Sequence, residues 1–184
     1  LIKTNANGDE LWTKTFGGIY LDYGTSVKQT NDEGYIITGS ISIFGIPNYR
    51  NVYLIKTDFK GDTLWTKILG GTNDDVGYSV KQTFDGGYII VGYTFSFGAG
   101  GSDVYLIKAV VDGDILWTKT FGIGNKDYGN SISQVPDTGK GYIITGYSGS
   151  LYKVYLIKTD AYSNIQWTKA YGGTGNSDEG SSVL

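Results

Sequence analysis

The chain has 184 residues, a net charge of −3, 29 Gly, and no His, Cys or Met. Without His or Cys there are no His-based triads, His general bases, thiol nucleophiles or common zinc sites. Without runs of Lys or Arg there is none of the clustered positive charge that a nucleic-acid surface needs. No apolar run approaches the roughly 18 residues of a membrane span. With 40% hydrophobic residues, the Gly reads as turns in a folded chain.

Taken in order, the chain opens on Leu1-Ile2-Lys3 and then Trp12-Thr13-Lys14, and both phrases return. Trp65-Thr66-Lys67, Trp117-Thr118-Lys119 and Trp167-Thr168-Lys169 follow at intervals of 50–53 residues. A fixed period in this range marks an array of one supersecondary unit. Four β-type segments make up the unit. Segment A is 25–30, repeated at 78–83. Segment B is Gly34-Tyr35-Ile36-Ile37, repeated from Gly87 and Gly141. Segment C is 52–57, repeated at 104–109 and 154–159. Segment D is 63–68, repeated at 115–120 and 165–170. Each is rich in β-branched and aromatic residues and is bounded by Gly, Asp or Asn. The A-to-B and C-to-D links are short enough for hairpins.

Segments B and C put apolar side chains on both faces, which predicts sheets covered on both sides. The expected fold is all-β: a β-propeller arc of four-stranded antiparallel blades, each about 50–54 residues. A solenoid of parallel coils is the rival, and the hairpin-length links count against it. Full blades are expected at about 25–68, 78–120 and 130–170. A partial blade is expected at 1–16 and the start of another at 181–184, so that the chain reads as a piece of a longer array with unpaired edges. Trp65 and Trp117 are expected to lie largely buried between blades, with Trp12 and Trp167 less covered.

Asp85-Gly-Gly-Tyr-Ile-Ile-Val-Gly-Tyr-Thr94 and Asp103-Val-Tyr-Leu-Ile-Lys108 resemble the propeller-type repeats of large secreted and cell-surface proteins of bacteria and archaea. The resemblance spans essentially the whole chain. It implies an extracellular or cell-surface module and says little about activity. Lys56-Thr-Asp-Phe-Lys-Gly-Asp-Thr-Leu-Trp65 is similar to the tryptophan-docking motif of quinoprotein propellers, in which Asp, Gly and Trp lock adjacent blades. No quinone-binding residues of those enzymes have counterparts here, so only the architecture carries over.

Residues present in every copy are expected to build the copy. On that ground the Trp series reads as blade packing rather than a sugar-stacking ladder. Asp22, Asp75, Asp127 and Asp178 precede segment A. They read as turn residues capping their own loops, with a Ca²⁺ ring as the alternative. An EF-hand fails because Phe16 stands where the loop's closing Glu would be. The recurrent pairs Ser26/Gln29, Ser79/Gln82 and Ser131/Gln134 read as partners for crowded backbone groups, or else as a channel lining. A glycosidase needs two carboxylates across a cleft, and no Asp or Glu stands out as such a pair. No catalytic residue and no cofactor are therefore assigned.

Copies differ chiefly in the B-to-C link: Ile37 to Leu54 spans 17 residues, Ile90 to Leu106 16, and Ile144 to Leu156 only 12. These loops share one end of the unit with the D-to-A loops. They carry Phe44, Tyr49 and Arg50, then Phe95 and Phe97, then Tyr152. Aromatics and Arg in variable loops over a rigid scaffold suit a recognition surface, unless they fold down onto their own blades. The expected function is non-enzymatic binding or adhesion, to protein or glycan. A carboxylate-based polysaccharide enzyme and a passive spacer are the alternatives. Further partners are the remaining blades of a parent chain or a second copy.

Overall fold

The computed structural model describes residues 1–43, 49–122, 126–136, 141–149, 153–173 and 178–183, and every regular element among them is a strand. β1 (Ile2–Thr4) and β2 (Glu10–Thr13) form a two-stranded antiparallel sheet. The next sheet runs β3 (Tyr23–Gln29), β4 (Tyr35–Ser42), β5 (Arg50–Thr57) and β6 (Thr63–Leu69). A second four-stranded sheet holds β7 (Asp75–Gln82), β8 (Tyr88–Thr94), β9 (Asp103–Ala109) and β10 (Ile115–Phe121). A third holds β11 (Asp127–Gln134), β12 (Tyr142–Ser148), β13 (Lys153–Thr159) and β14 (Ile165–Tyr171). Strands pair in chain order and antiparallel throughout, and no sheet closes on itself. Residues 178–183 form no strand. They lie along β11 and β12 all the same, with the Gly180 N–H donating to Gly146 O (3.1 Å) and the Val183 N–H to Ser131 Oγ (3.2 Å).

The hairpins are fixed by their acidic residues. Asp58 accepts the N–H groups of Lys60 (2.8 Å) and Asp62 (2.9 Å), closing the turn before β6. Asp32 accepts the Gly34 N–H and the ammonium of Lys56, whose side chain is buried; Asp85, Gly87 and Lys108 repeat the arrangement. Partial burial pushes the Asp32 carboxyl up, but the bonds from Lys56, Thr30 and Gly34 outweigh it and hold the group at about 2. Each buried ammonium thus has a charged partner at the surface.

One turn breaks the pattern. Gly8, Gly61 and Gly113 take the left-handed conformation in the loops before β2, β6 and β10, and Ser163 (φ 60°) occupies that position before β14. A Cβ on Gly61 or Gly113 would lie 2.8 or 2.7 Å from the ring of Trp12 or Trp65 in the unit before. Ser163 puts a Cβ there. The Trp117 ring sits 6.4 Å from Tyr142, against 5.8 Å for the two earlier Trp–Tyr pairs. Ser163 Oγ is also buried without a hydrogen-bond partner. Ser163→Gly therefore removes a left-handed non-Gly residue and a buried orphan hydroxyl together. It is expected to stabilise the chain by about 1–2 kcal/mol in denaturant melts.

The sheets pack face to face in succession. β7 lies against β3, β4 and β5, and β11 against β7, β8 and β9. Between the first and second sheets lie Ile36, Val52, Leu54 and Leu69, facing Val80, Tyr88, Ile90, Tyr105 and Ile107. Between the second and third, Ile89, Val104, Leu106 and Phe121 face Ile132, Tyr142, Ile144, Tyr155 and Ile157. The same positions meet in both cores, so one interface is used twice. Polar bonds stitch the first strands of successive sheets. Thr25 Oγ1 donates to Gly77 O (2.6 Å), Gln82 Oε1 accepts the Asn31 N–H (2.9 Å), and Gln134 Oε1 accepts the Phe84 N–H (3.0 Å). The Ser and Gln of segment A serve neighbouring backbone.

The Trp residues differ in how far the following unit covers them. Trp65 and Trp117 pack on the two cores but stay partly exposed, because they sit on the fourth strand, where the next sheet covers only part of the ring. Trp12 is partly buried as well, edge-on to Tyr35 at 5.8 Å and against Gly61. Ion pairs run beside these contacts, Lys14 to Asp62 and Lys67 to Asp114, each at 2.6 Å. Trp167, on the last described strand, is 41% exposed.

Candidate functional site

The D-to-A and B-to-C loops emerge together at one end of the sheets, and the residues there differ most between copies. Tyr93 and Tyr147 pair with Val76 and Tyr128 where the first sheet pairs Ser40 with Tyr23. Tyr78 stands where the first sheet has Thr25. The substitutions assemble a run of rings across the second and third sheets. Tyr93 meets Tyr78 at 5.6 Å, Tyr128 at 4.6 Å and the edge of Phe95 at 5.8 Å, and Tyr128 stacks on Tyr147 at 4.6 Å. Tyr93 is buried, while Tyr78, Tyr128 and Tyr147 are half-buried. Rings offering both a face and a hydroxyl suit amphipathic ligands.

Arg50 is held at the edge of this run. Its Nε and Nη2 donate to Asp74 Oδ1 (2.8 Å) and Oδ2 (2.6 Å), and Nη2 also donates to Tyr93 Oη (2.9 Å). Tyr93 in turn donates to Asp74 Oδ2 (2.7 Å). Burial pushes the Asp74 carboxyl up, but the bonds from Arg50 and Tyr93 outweigh it and hold the group below its ordinary value. Arg50 thus joins β5 to the following D-to-A loop, and a ligand would meet a guanidinium already engaged on two sides.

Phe95 (44% exposed) and Phe97 (43%) each have one side packed and one in solvent, Phe97 lying 5.5 Å from Tyr105. Tyr49 is half-buried just before β5. Phe44 and Tyr152 fall outside the described residues. Tyr78, Tyr93, Tyr128, Tyr147 and Asp74 were not singled out from sequence. The signal of the four Tyr was a copy-to-copy substitution inside strands, and that of Asp74 one in a D-to-A loop of constant length, whereas varying loop length drew attention to the B-to-C links.

The recurrent Asp residues spend their oxygens on the D-to-A loop and on the end of the neighbouring segment-B strand. Asp22 accepts the N–H groups of Gly18 (2.6 Å) and Ser42 (3.1 Å). Asp75 accepts the Gly71 N–H (2.7 Å) and the hydroxyls of Ser96 and Thr94. Asp127 accepts the Ser148 hydroxyl, and Asp178 the Gly173 N–H (3.2 Å). This geometry favours turn capping. Among the described residues no three carboxylates gather.

Two carboxylates do approach each other. A Cβ on Gly122 would meet Asp103 Oδ1 at 2.0 Å and Asp127 Oδ2 at 2.9 Å; at Gly70 the corresponding pair is Asn51 and Asp75. Burial chiefly pushes the Asp103 carboxyl above its ordinary value. The Ala99 N–H opposes this, and the Asp127 charge adds to it. A raised carboxyl means the folded chain holds that proton more tightly than the unfolded chain, so ionisation costs stability as pH rises above about 4. Asp103→Asn, which copies Asn51, is expected to raise the melting midpoint at pH 7. The gain should shrink as the pH is lowered towards about 4.

The opposite end carries apolar tips of its own: Phe59, Phe84, Val111 and Tyr162 are exposed on the short hairpins. They are scattered over separate turns, with no ring pairs among them like those joining Tyr93, Tyr128 and Tyr147.

Compared with known protein families and with curated proteins, the chain matches no family and no curated relative. No helix long and apolar enough to cross a membrane occurs among the described residues.

Proposed function

We propose that the chain is an arc of a β-propeller in a secreted or cell-surface protein, acting as a non-enzymatic module that binds a protein or glycan at its loop-bearing end. The propeller reading is supported by the face-to-face succession of sheets and by the recurring contact of Trp12, Trp65 and Trp117 with the Gly or Tyr of the next unit. The binding reading rests on one observation. Departures from the repeat concentrate at that end and assemble a run of rings there, beside Phe95, Phe97 and the Arg50–Asp74 pair.

An enzymatic reading would fall to Asp103 and Asp127. Both are buried, Asp103 accepting the Ala99 N–H of its own loop and Asp127 the Ser148 hydroxyl of β12, which favours binding over catalysis. The test is to display the chain on arrays of glycans and of extracellular proteins. Retention of a ligand without turnover is the expected result. Turnover would favour the enzyme, and no retention at all would favour a spacer.

A further inference from the structure

The middle of the loop-end cluster is polar and its margin is aromatic. Tyr93 stands at the centre, with the rings of Tyr78, Tyr128 and Phe95 around it at 5.6, 4.6 and 5.8 Å. Tyr93 and Asp74 are buried, Tyr78 and Tyr128 are half-buried, and Phe95 turns one side to solvent. Interfaces with proteins favour the reverse, a dry apolar centre inside a polar rim. Arg50 comes from β5, Tyr78 and Tyr93 from β7 and β8, and Tyr128 from β11, so the first, second and third sheets enclose the site between them.

Charge at the centre is neutralised, but hydrogen-bonding capacity remains. Arg50 directs Nε and Nη2 at Asp74 and Tyr93, and Asp74 uses both its oxygens on Arg50 and Tyr93. The planar guanidinium also carries N–H groups on Nη1. Among the described residues these meet no acceptor, and the Arg50 side chain is 30% exposed. An anionic ligand would gain little from a guanidinium already matched by a carboxylate, and a cationic one would find Asp74 saturated. A neutral ligand with hydroxyl acceptors and an apolar face fits both constraints. In repeat register, Ser102 and Lys126 occupy the places of Arg50 and Asp74, so the pair is not repeated between the second and third sheets.

We propose that this site takes a neutral sugar, with a pyranose ring stacked on the open side of Phe95 and its hydroxyl oxygens accepting from Arg50 Nη1. Such a ligand presupposes the loop end as the binding surface, and it narrows the choice between protein and glycan to an uncharged glycan. A pyranose has an apolar C–H face and a rim of hydroxyls. The first suits an aromatic face, and the second suits the flat fork of donors on a guanidinium. Phe95 and Arg50 approach the same residue, Phe95 at the Tyr93 ring and Arg50 at its hydroxyl. Because Asp74 already balances the guanidinium, binding should be insensitive to salt.

The probes are neutral hexasaccharides of glucose, mannose, galactose and N-acetylglucosamine, with a galacturonic acid hexasaccharide as the charged control, each titrated calorimetrically into the chain. Saturable binding of at least one neutral probe is expected, unchanged between low and high salt, with the acidic probe about tenfold weaker or worse. Arg50→Lys keeps a charge facing Asp74 but removes the planar donors, and Phe95→Leu keeps an apolar side chain but removes the ring. Each should weaken binding about tenfold, whereas Phe95→Trp and, at the hairpin end, Phe59→Ser should leave it unchanged. Thermal melts check that each variant folds. If Arg50→Lys does not fold, the contrast of Phe95→Leu with Phe95→Trp still decides. The sugar is overturned if no neutral probe binds, if the acidic probe binds as well or better, or if binding survives Phe95→Leu. Capture of a protein alone, abolished by Phe95→Ser with Phe97→Ser, overturns the sugar and leaves the loop end as a binding surface. Sugar binding lost in Phe59→Ser and kept in Phe95→Leu overturns both.

Discussion

Gly92→Ala is expected to destabilise the chain by about 3 kcal/mol or more, at the upper end of what overpacking costs. The reason lies in the bulge on the neighbouring strand. Register between β7 and β8 shifts between Gly77 and Ser79, which drives the Val76 carbonyl towards Gly92. A Cβ on Gly92 would stand 1.8 Å from that oxygen, and the obstacle is backbone, which cannot swing aside. The same collision recurs at Gly39 with Tyr23 O (1.8 Å) and at Gly146 with Tyr128 O (1.7 Å), so the constraint belongs to the repeat. Gly24→Ala is the control, because a Cβ there meets nothing within 4 Å. Urea melts of the two variants should differ sharply, and comparable midpoints would show that the bulge yields.

Trp65→Ala is expected to cost about 3 kcal/mol, the low end for a large aromatic because the ring is only partly buried. Its edge-on contact with the fully buried Tyr88 and its fit over Gly113 tie the first sheet to the second. Trp167→Ala removes the same side chain from the same place in the repeat, but from a ring that no described sheet covers. That variant should lose less than about 1 kcal/mol. Equal losses from the two would mean that the Trp stabilises its own sheet and that contact with the following unit adds nothing.

The strands were legible because each segment carries β-branched and aromatic residues between Gly and Asp turns, and copies at a fixed period reinforce one another. The turn role of Asp75 could be anticipated in the same way, since a residue kept in every copy serves the copy. Degrees of coverage could not. Trp65 was expected to lie between sheets, and its partial exposure follows from its place on the fourth strand, which no sequence pattern encodes. Nor does sequence say which Gly faces a bulge: Gly24 and Gly92 look alike as letters, yet only Gly92 opposes a displaced carbonyl. At the loop end, Arg50 looked like a free recognition group, because its partner Asp74 lies in another loop. The run from Tyr93 to Tyr147 was hidden for the same reason, its members being distant in sequence and inside strands.

The central claim is that the repeat builds the scaffold while the loop end, where copies diverge, does the binding. The most direct measurement compares two double variants for retention of whatever ligand the chain captures on an array. Phe95→Ser with Phe97→Ser alters the loop end, and Phe59→Ser with Phe84→Ser alters exposed rings at the hairpin end. All four side chains are partly or largely in solvent, so both variants should fold. Loss of retention in the first with full retention in the second is the predicted result. Full retention in the first with loss in the second would place the binding surface on the hairpin tips and contradict the account.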